Sequence, residues 1–311
     1  MKAVRIHAYG DPSVFVYEDA PRPTVGADEL LIRVHATTVN PFDCAARSGY
    51  MANYYPYTFP HILGLDVSGT VEEAGAGVTD FAPGDDIYAR ADPARCGASA
   101  EYIAVAAADA ALKPPSLDYV HAAALPQVGL TAWRSLIEVA NLSQGQTILI
   151  HAAAGGVGSF AVQLAKWLGA KVIGTASGYN RDFLQSLGVD EVIDYTTTAF
   201  EEVVQDVDVV LDTVGGNVQD RSWQVLKPGG ILVSIVQPPS LEKAAEYGVR
   251  QHFAMALPPA GPILKEIAIL VEAGIIKPVV SSVFPLQNIQ EAHSMVWDKH
   301  VRGKIVLQVT A

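Results

Sequence analysis

Cysteine is scarce in this chain, which has only Cys44 and Cys96 among its 311 residues. A scaffold held by several disulfides is therefore excluded, and a single bridge between these two cysteines has no support from the sequence. Basic residues are also few, because 21 Lys and Arg face 33 Asp and Glu, which gives a formal net charge of −12. Nucleic acids and anionic membranes are polyanions, so this charge argues against both as partners.

Long hydrophobic runs are absent as well, because no stretch of about 18 consecutive apolar residues occurs. The N-terminal residues 1–6 have the pattern of a strand and lack the apolar core of a secretory signal. Together with the low cysteine content, this predicts a cytoplasmic protein. The chain is 50% hydrophobic, and its length suffices for two domains with substantial cores.

A glycine-rich segment lies in the middle of the chain, at residues 151–158 with the sequence HAAAGGVG. A short β-branched run at 147–150 precedes it, and apolar residues at a helical period follow it over 159–168. Strand, glycine-rich turn and helix in this order are the context of a dinucleotide-binding fingerprint. The segment therefore predicts a nucleotide site, and the alternative is a plain turn between a strand and a helix.

The small residues of this segment have separate roles. Ala152, Gly155 and Gly158 are spaced three apart, so an alanine takes the place of the first fingerprint glycine. Gly155 and Gly156 let the backbone approach a pyrophosphate, whose negative charge the helix N-terminus stabilises. Gly158 allows the helix to pack tightly on the strand.

The patterns of apolar residues divide the chain into three segments. Residues 1–118 have short strands separated by turns, which is typical of a barrel-like, mostly antiparallel domain. Strands and helices alternate over 119–274, which predicts a doubly wound parallel Rossmann sheet. Strand patterns without this alternation return over 275–311, so we expect an α/β nucleotide-binding domain inserted into the barrel-like domain. The six strands predicted for the Rossmann sheet are 147–150, 171–176, 191–194, 207–212, 231–236 and 252–257.

The second of these strands ends where NAD-specific folds place an acidic residue on the ribose 2′-hydroxyl. Here that position is the neutral Ser177, and the first carboxylate after it belongs to Asp182. Arg181 lies four residues beyond Ser177. A hydroxyl with a nearby guanidinium suits the 2′-phosphate of NADPH, so the sequence favours NADPH as cofactor. The alternative is that Arg181 is an ordinary solvated residue at the start of a helix.

Several motifs follow one another along the whole chain. They are MKAV at 1–4, VNPFD at 39–43, ILGLDVSG at 62–69, GLTA at 129–132, the glycine-rich segment, KPGG at 227–230 and GKIV at 303–306. In this combination the sequence resembles the zinc-free quinone oxidoreductase branch of the medium-chain dehydrogenase/reductase superfamily. The resemblance implies a GroES-like catalytic domain, an inserted Rossmann domain and a catalytic cleft between the two.

The resemblance also implies that no metal is bound. Zinc-bearing members of this superfamily hold a catalytic zinc with cysteine and histidine, and a structural zinc with four cysteines. Matching of the motifs puts Asn40 at the first ligand position, Leu65 at the histidine and Gln127 near the third ligand. A leucine has no donor atom, and two cysteines cannot supply four thiolates.

For catalysis, the resemblance implies hydride transfer to an acceptor whose oxygen gains negative charge. Asn40 is the candidate donor to that oxygen, and its alternative role is to close the Asn-Pro turn. Asp43 is a second candidate, which alternatively braces this loop. Tyr50 is a candidate proton donor, although tyrosine clusters more often serve packing. The tyrosine that is frequent in quinone reductases just after this stretch is replaced here by Ala45.

The resemblance assigns a further set of residues to the cofactor. Thr131 is expected at the nicotinamide, the glycine-rich segment at the pyrophosphate, and Lys304 as a residue that closes over the cofactor. The pyrophosphate residues are Ala154, Gly155, Gly156 and Val157, and those at the adenosine phosphate are Ser177, Arg181 and Tyr195.

We thus expect a zinc-independent oxidoreductase that uses NADPH to reduce quinones or α,β-unsaturated carbonyls. An enoyl-thioester reductase and a non-catalytic NADPH-binding sensor or structural protein are the alternatives. The last predicted strand, 252–257, is apolar and lies at an edge of the doubly wound order. An exposed apolar edge needs cover, and relatives tend to dimerise there, so a homodimer is expected.

Overall fold

The structure, a computed structural model, describes residues 1–298 and 301–309. It divides into two compact units. Unit 1 contains Met1–Gln127, Leu257–Gly274 and the described residues from Pro278 onward, and unit 2 contains Val128–Ala256 and Ile275–Lys277. The chain therefore builds most of unit 1, forms unit 2 and then returns, which is the expected order for an inserted domain.

Short strands and helices form both units. The strands are β1 (Lys2–Ile6), β2 (Phe15–Asp19), β3 (Glu29–Val39), β4 (Asp66–Ala74), β5 (Asp86–Arg90), β6 (Tyr102–Ala106), β7 (Ala110–Leu112), β8 (Thr147–Ile150), β9 (Lys171–Ala176), β10 (Glu191–Asp194), β11 (Val207–Asp212), β12 (Leu226–Ser234), β13 (Arg250–Phe253), β14 (Val280–Pro285) and β15 (Lys304–Gln308). The α-helices are α1 (Pro41–Arg47), α2 (Tyr119–Ala123), α3 (Pro126–Trp133), α4 (Gly156–Trp167), α5 (Arg181–Ser186), α6 (Phe200–Val203), α7 (Gly216–Ser222), α8 (Leu241–Tyr247), α9 (Gly261–Glu272) and α10 (Ile289–Trp297).

Unit 2 is built on a parallel sheet whose described strands follow the order β10-β9-β8-β11-β12-β13. Strands β8 and β11 are neighbours at its centre, and the chain proceeds outward from them in both directions. Such an order is that of a doubly wound nucleotide-binding sheet, with its ligand crevice at the carboxyl ends of the two central strands. All six residues of β11 are buried, because helices cover both faces of such a sheet. The predicted Rossmann sheet is thereby confirmed.

Unit 1 is built on a second, mostly antiparallel sheet. Its described strands follow the order β14-β15-β3-β4-β5-β7, and β6 also pairs with β3. All of these pairs are antiparallel except β14 with β15. A separate, mostly antiparallel sheet of this kind agrees with the predicted fold class.

The register of this second sheet aligns the ends of four strands. Asp66 of β4 pairs with Arg90 of β5, and Thr38 of β3 pairs with Val306 of β15. Because paired residues place their side chains on the same face, polar groups from β15, β3, β4 and β5 come together in one row. This row positions the candidate site described below.

Two helices lie in a different unit from the one that the sequence suggests. The predicted nucleotide-binding segment 119–274 includes α2 and α9, whereas the structure groups both helices with unit 1. The Tyr88 hydroxyl donates to the Leu264 carbonyl oxygen within α9, and Asp109 accepts the Ala260 N–H at 2.7 Å just before it. These contacts join residues far apart in the chain, so a local apolar period does not reveal them.

The edge strand β13 also differs from its prediction. It begins at Arg250 and ends at Phe253, whereas the predicted strand spans 252–257. Pairing of Ile231–Ser234 with Arg250–Phe253 fixes its position, so the apolar residues 254–257 follow the strand rather than forming it. Its location at the sheet edge agrees with the prediction.

No helix in the described part of the chain is long and apolar enough to cross a membrane.

Candidate functional site

The glycine-rich loop of unit 2 connects β8 to α4 at the carboxyl edge of the parallel sheet. Gly155 is the N-cap of α4, no side chain among the described residues caps this helix, and its first turn carries no acidic residue. The first amides of an α-helix have no partners within the helix, so they are available to an anion at this end. Gly155, Gly156 and Val157 therefore fit the pyrophosphate of a dinucleotide, and Ala154 precedes them as a buried residue.

Close packing between α4 and the strand depends on Gly158. A Cβ atom at this position would lie 2.3 Å from the Ala152 carbonyl oxygen and 2.7 Å from the Ala153 Cα. Ala152 itself has a φ of 46°, in the left-handed region that favours glycine. The loop thus keeps the backbone path of the fingerprint although its first glycine is replaced by alanine.

His151 precedes the loop as a buried neutral residue. Its Nδ1 lies 3.1 Å from Thr175 Oγ1, and its Nε2 lies 2.9 Å from Ser222 Oγ. Burial lowers the pKa of this imidazole to about 4. At neutral pH it therefore ties β8 to β9 and α7 without adding charge beside the loop.

The residues expected at the adenosine phosphate lie at the carboxyl ends of β9 and β10. Ser177 follows β9 directly, and the Tyr195 N–H, just after β10, donates to the Ala176 carbonyl oxygen at 3.2 Å. Arg181 begins α5 and is exposed. The structure thus places Ser177 and Tyr195 close together, with Arg181 one short 3₁₀ turn further on.

A carboxylate that the sequence analysis missed lies beside this group. Asp194 ends β10 and accepts the hydroxyl and the backbone N–H of Thr196 at 2.7 and 3.0 Å. These bonds hold the pKa of Asp194 below its usual value, with smaller contributions from the Gly178 N–H and the Arg181 charge. Counting along the chain from Ser177 finds Asp182 first, because only the pairing of β9 with β10 brings Asp194 to this position.

Thr131, expected at the nicotinamide, lies within α3 and is 6% exposed. Its carbonyl oxygen accepts the Ser135 hydroxyl at 2.7 Å, where α3 continues into a π-helical turn. Its assignment to the cofactor stays a prediction.

Asn40 occupies the centre of a buried polar cluster in unit 1. It is the N-cap of α1 and is 3% exposed. Its Nδ2 donates to Asp66 Oδ2 at 2.9 Å, and its Oδ1 accepts from Lys304 Nζ at 2.5 Å. A carboxylate on one side and an ammonium on the other allow only this orientation of the amide.

Asp66 is the anion of this cluster and is fully buried. Its Oδ2 accepts the Thr38 hydroxyl, the Asn40 amide and, at 3.3 Å, the Lys304 ammonium. Its Oδ1 accepts the Gln127 backbone N–H at 2.7 Å. Four donors thus satisfy one carboxylate, which is how a buried charge is tolerated.

Lys304 belongs to this cluster in unit 1, where its side chain is 6% exposed. The family resemblance implies a place among the cofactor residues, because the motif around it gives no sign of its partners. In the structure both of its hydrogen bonds named above join it to Asn40 and Asp66. A role toward the cofactor stays a prediction.

Asp43 braces the start of α1. Its Oδ2 accepts the Asn40 backbone N–H at 2.8 Å, and its Oδ1 has no hydrogen-bond partner among the described residues. Burial raises the pKa of this carboxyl to about 6. Asp43 thus makes the hydrogen bond expected of a residue that braces this loop. The residue that it holds in place is Asn40, the candidate donor to the acceptor oxygen.

Tyr50 lies apart from these groups. It follows α1 in a turn and is 83% exposed, and no hydrogen bond among the described residues joins its hydroxyl to Asn40 or Asp43. The structure therefore brings Asn40 and Asp43 together but gives Tyr50 no contact with either of them.

The residues at the ligand positions of the zinc relatives do not fit a zinc ion. Leu65 is buried and its side chain has no atom that could bind a metal. The Lys304 ammonium is hydrogen-bonded to Asn40, and its positive charge would repel a metal cation there. Within residues 1–298 and 301–309, no group of three or more His, Cys, Asp or Glu could hold a metal ion.

The two cysteines are free and buried. Cys44 Sγ lies 3.4 Å from His293 Nδ1, and Cys96 Sγ lies 3.5 Å from the Tyr57 hydroxyl. Burial raises the pKa of both thiols to about 12, so neither is a reactive thiolate at neutral pH.

A doubly wound sheet with an uncapped glycine-rich helix, inserted into a mostly antiparallel unit, defines a two-domain protein of the dinucleotide-binding class. Family comparison supports this description. Residues 26–115 match the alcohol dehydrogenase GroES-like domain, and residues 187–307 match the zinc-binding dehydrogenase family.

Individual relatives extend the similarity over nearly the whole chain. NAD(P)H oxidoreductase RTN4IP1, mitochondrial, from Mus musculus is 37% identical over 91% of this chain and 82% of its own length. NADPH-dependent alkenal/one oxidoreductase, chloroplastic, from Arabidopsis thaliana is 35% identical over 99% of this chain and 79% of its own length.

Solved structures agree with this similarity. The quinone oxidoreductase from Coxiella burnetii superposes with a TM-score of 0.92 at 34% identity, covering 100% of this chain and 99% of that one. The Escherichia coli quinone oxidoreductase complexed with NADPH gives a TM-score of 0.91 at 27% identity, covering 99% and 100%. The chain belongs to the medium-chain dehydrogenase/reductase superfamily, in its quinone oxidoreductase-like branch.

Gly158→Ala is expected to destabilise unit 2, because its Cβ would collide with backbone atoms of Ala152 and Ala153. Overpacking of this kind costs about 1–3 kcal/mol. Gly155→Ala is the matched control, since φ there is −72° and the added Cβ would lie 3.3 Å from one carbonyl oxygen. Denaturant unfolding without nucleotide measures both variants, and equal stability of the two would contradict the close packing at Gly158.

Proposed function

We propose that this chain is a zinc-independent, NADPH-dependent oxidoreductase that transfers hydride to quinones or to the β-carbon of α,β-unsaturated carbonyls. The observation that carries the proposal is the buried cluster of Asn40, Asp66 and Lys304, in which the amide that the motifs match to the first zinc-ligand position is hydrogen-bonded to an ammonium. Oxidation of an alcohol needs its hydroxyl deprotonated as hydride leaves, and zinc performs that task. A conjugated acceptor instead needs only stabilisation of charge on its oxygen.

NADPH supplies the hydride when it is bound. The uncapped N-terminus of α4 supports the pyrophosphate, and Ser177, Arg181 and Tyr195 support the 2′-phosphate. The NADPH complex of the Escherichia coli relative and the name of the Arabidopsis relative point to the same cofactor.

The polar cluster of unit 1 acts on the acceptor. Hydride that reaches the β-carbon of an enone shifts negative charge to the carbonyl oxygen, and a proton from solvent then adds to the α-carbon. A quinone takes up the hydride and one solvent proton to give the hydroquinone. One N–H of Asn40 Nδ2 is bonded to Asp66, and the other has only a 3.5 Å contact with Thr38, so it is the amide donor left for the acceptor oxygen.

A panel of quinones, enones, an enoyl thioester and simple alcohols, followed by the loss of NADPH absorbance or its gain from NADP⁺, tests the reaction class. We expect turnover of the conjugated acceptors and little oxidation of alcohols. Tight NADPH binding without turnover of any acceptor would favour the non-catalytic alternative. Brisk oxidation of alcohols in the presence of a chelator would overturn the proposed chemistry.

Asn40→Ala is expected to lower the rate of acceptor reduction about tenfold or more, if its donor approaches the contribution of a typical oxyanion-hole group. The affinity for NADPH should stay close to that of the wild type. Tyr50→Phe is the control and should leave turnover unchanged, because Tyr50 is exposed and joined to neither Asn40 nor Asp43. Steady-state kinetics and fluorescence titration with NADPH measure the two effects, and normal turnover of Asn40→Ala removes it from the mechanism.

Arg181→Ala should weaken NADPH binding and leave NADH binding almost unchanged. Loss of a charge-assisted hydrogen bond to the 2′-phosphate costs about 1.5–3 kcal/mol, or roughly tenfold to a hundredfold in Kd. Lys171→Ala is the control, since this exposed cation lies at the opposite end of β9. Equal weakening of both cofactors would make Arg181 structural, and Asp194 is then the group to examine for binding of the NADH ribose.

A cytoplasmic homodimer completes the proposal. Strand β13 is an edge of its sheet, and Met255 just beyond it is 52% exposed. Pairing of two such edges would satisfy their backbone groups and cover this side chain. Light scattering at micromolar concentration should give twice the chain mass, and a monomeric mass argues against the dimer.

A further inference from the structure

Arg90 lies beside the cluster of Asn40, Asp66 and Lys304 and takes no part in the roles assigned so far. It ends β5, pairs with Asp66 across the sheet and is 5% exposed. Its Nε donates to Gln127 Oε1 at 3.1 Å, and the Gln127 backbone N–H in turn donates to Asp66. Arg90 is thus held in place through one nitrogen of its guanidinium.

The two terminal nitrogens of Arg90 are unused. No hydrogen bond or ion pair among residues 1–298 and 301–309 involves either of them. They are also not among the fully enclosed polar atoms that lack a partner, so both retain contact with accessible space. A guanidinium that is nine-tenths buried with four N–H groups unmet carries a desolvation cost that an oxygen ligand would relieve.

Asp66 accepts no hydrogen bond from these N–H groups, although it pairs with Arg90 across the sheet. Its oxygens already accept four hydrogen bonds, from Thr38, Asn40, Lys304 and the Gln127 backbone, and none of them comes from Arg90. The Asn40 amide has its oxygen and one N–H engaged, which leaves a single N–H with only a 3.5 Å contact to Thr38. Arg90 is therefore the member of this group with the most hydrogen-bonding capacity to offer a ligand.

We propose that the terminal N–H groups of Arg90 bind the carbonyl oxygen of the acceptor and stabilise the negative charge that it gains on hydride transfer. The inference rests on the proposed function and adds a catalytic residue to it. Acceptors with an accessible oxygen next to the reacting carbons, such as enones and quinones, present the group that a guanidinium fork recognises. The Gln127 contact keeps the fork fixed, so little reorganisation is needed as charge develops.

Kinetics of three variants test this assignment. Arg90→Gln should lower kcat for conjugated acceptors about a hundredfold, as loss of an oxyanion donor does, while the Kd for NADPH is unchanged. Arg90→Lys keeps the charge but loses the fork, so its kcat should lie between those of Arg90→Gln and the wild type. Arg33→Gln is the control, because Arg33 is an exposed residue of β3 in the same unit.

A binding measurement separates this inference from the proposed reaction. p-Nitrophenol mimics an acceptor oxygen that carries charge, and its absorbance reports how much is bound as phenolate. The wild type and Arg33→Gln should lower the pKa of the bound phenol, Arg90→Gln should abolish the shift, and Arg90→Lys should retain part of it. Unfolding curves establish whether each variant is folded. If Arg90→Gln does not fold, the kinetic and the phenolate measurements are both made on Arg90→Lys.

The outcomes are distinct. Normal kcat in Arg90→Gln, or a phenolate shift that persists in it, overturns the assignment of Arg90. If the wild type reduces none of the acceptors but the phenolate shift still depends on Arg90, the proposed reaction fails while the oxygen-binding role stands. Full activity of a folded Arg90→Lys with an unchanged phenolate shift would mean that charge alone matters, which also contradicts binding through the fork.

Discussion

The buried contact between the Lys304 ammonium and the Asp66 carboxylate is the interaction on which the unit 1 site depends. Both side chains are almost completely removed from water, and their Nζ–Oδ2 distance is 3.3 Å. Removing one partner of such a pair leaves an uncompensated buried charge, at a cost of about 3–5 kcal/mol. The pair connects β15 to β4 across β3, and through Asn40 it also fixes the N-terminus of α1. The position of the amide donor thus follows from the neutralisation of two charges.

Local patterns in the sequence were sufficient for most of unit 2. The strands at 147–150, 171–176, 191–194 and 207–212 have the predicted bounds, because each is a short apolar run between turn residues. The glycine-rich loop was recognisable for the same reason, since strand, loop and helix are neighbours in the chain. At 250–253 the rule fails, because β13 is an edge strand with alternating exposure and no continuous apolar run.

The candidate site of unit 1 was only partly predictable, because its residues are distant in sequence. Asn40 and Lys304 are separated by 264 positions, and their hydrogen bond follows from the register of β3 with β15. Asp66 belongs to the motif at 62–69, but it is not among the site residues that the sequence predicts. An acidic residue inside an apolar strand is itself a signal, because such a charge must be paired when buried. Asp194 in unit 2 was missed because strand pairing and not sequence distance places it, and the same cause hid the partners of Lys304.

The division of donors within the cluster bears on the kind of reaction that this chain supports. Each oxygen of Asp66 is occupied, and the Lys304 charge is shared between that carboxylate and Asn40. These groups are therefore committed to one another, and they offer an alcohol neither a strong base nor an open coordination position. The uncommitted groups around them are mostly donors, namely the Asn40 N–H that has only a 3.5 Å contact with Thr38 and four N–H groups of Arg90, whereas the one unmet acceptor described above, Asp43 Oδ1, is fully enclosed. A site with more unmet donors than unmet acceptors favours a substrate whose oxygen gains negative charge, which is the property of a carbonyl that receives hydride.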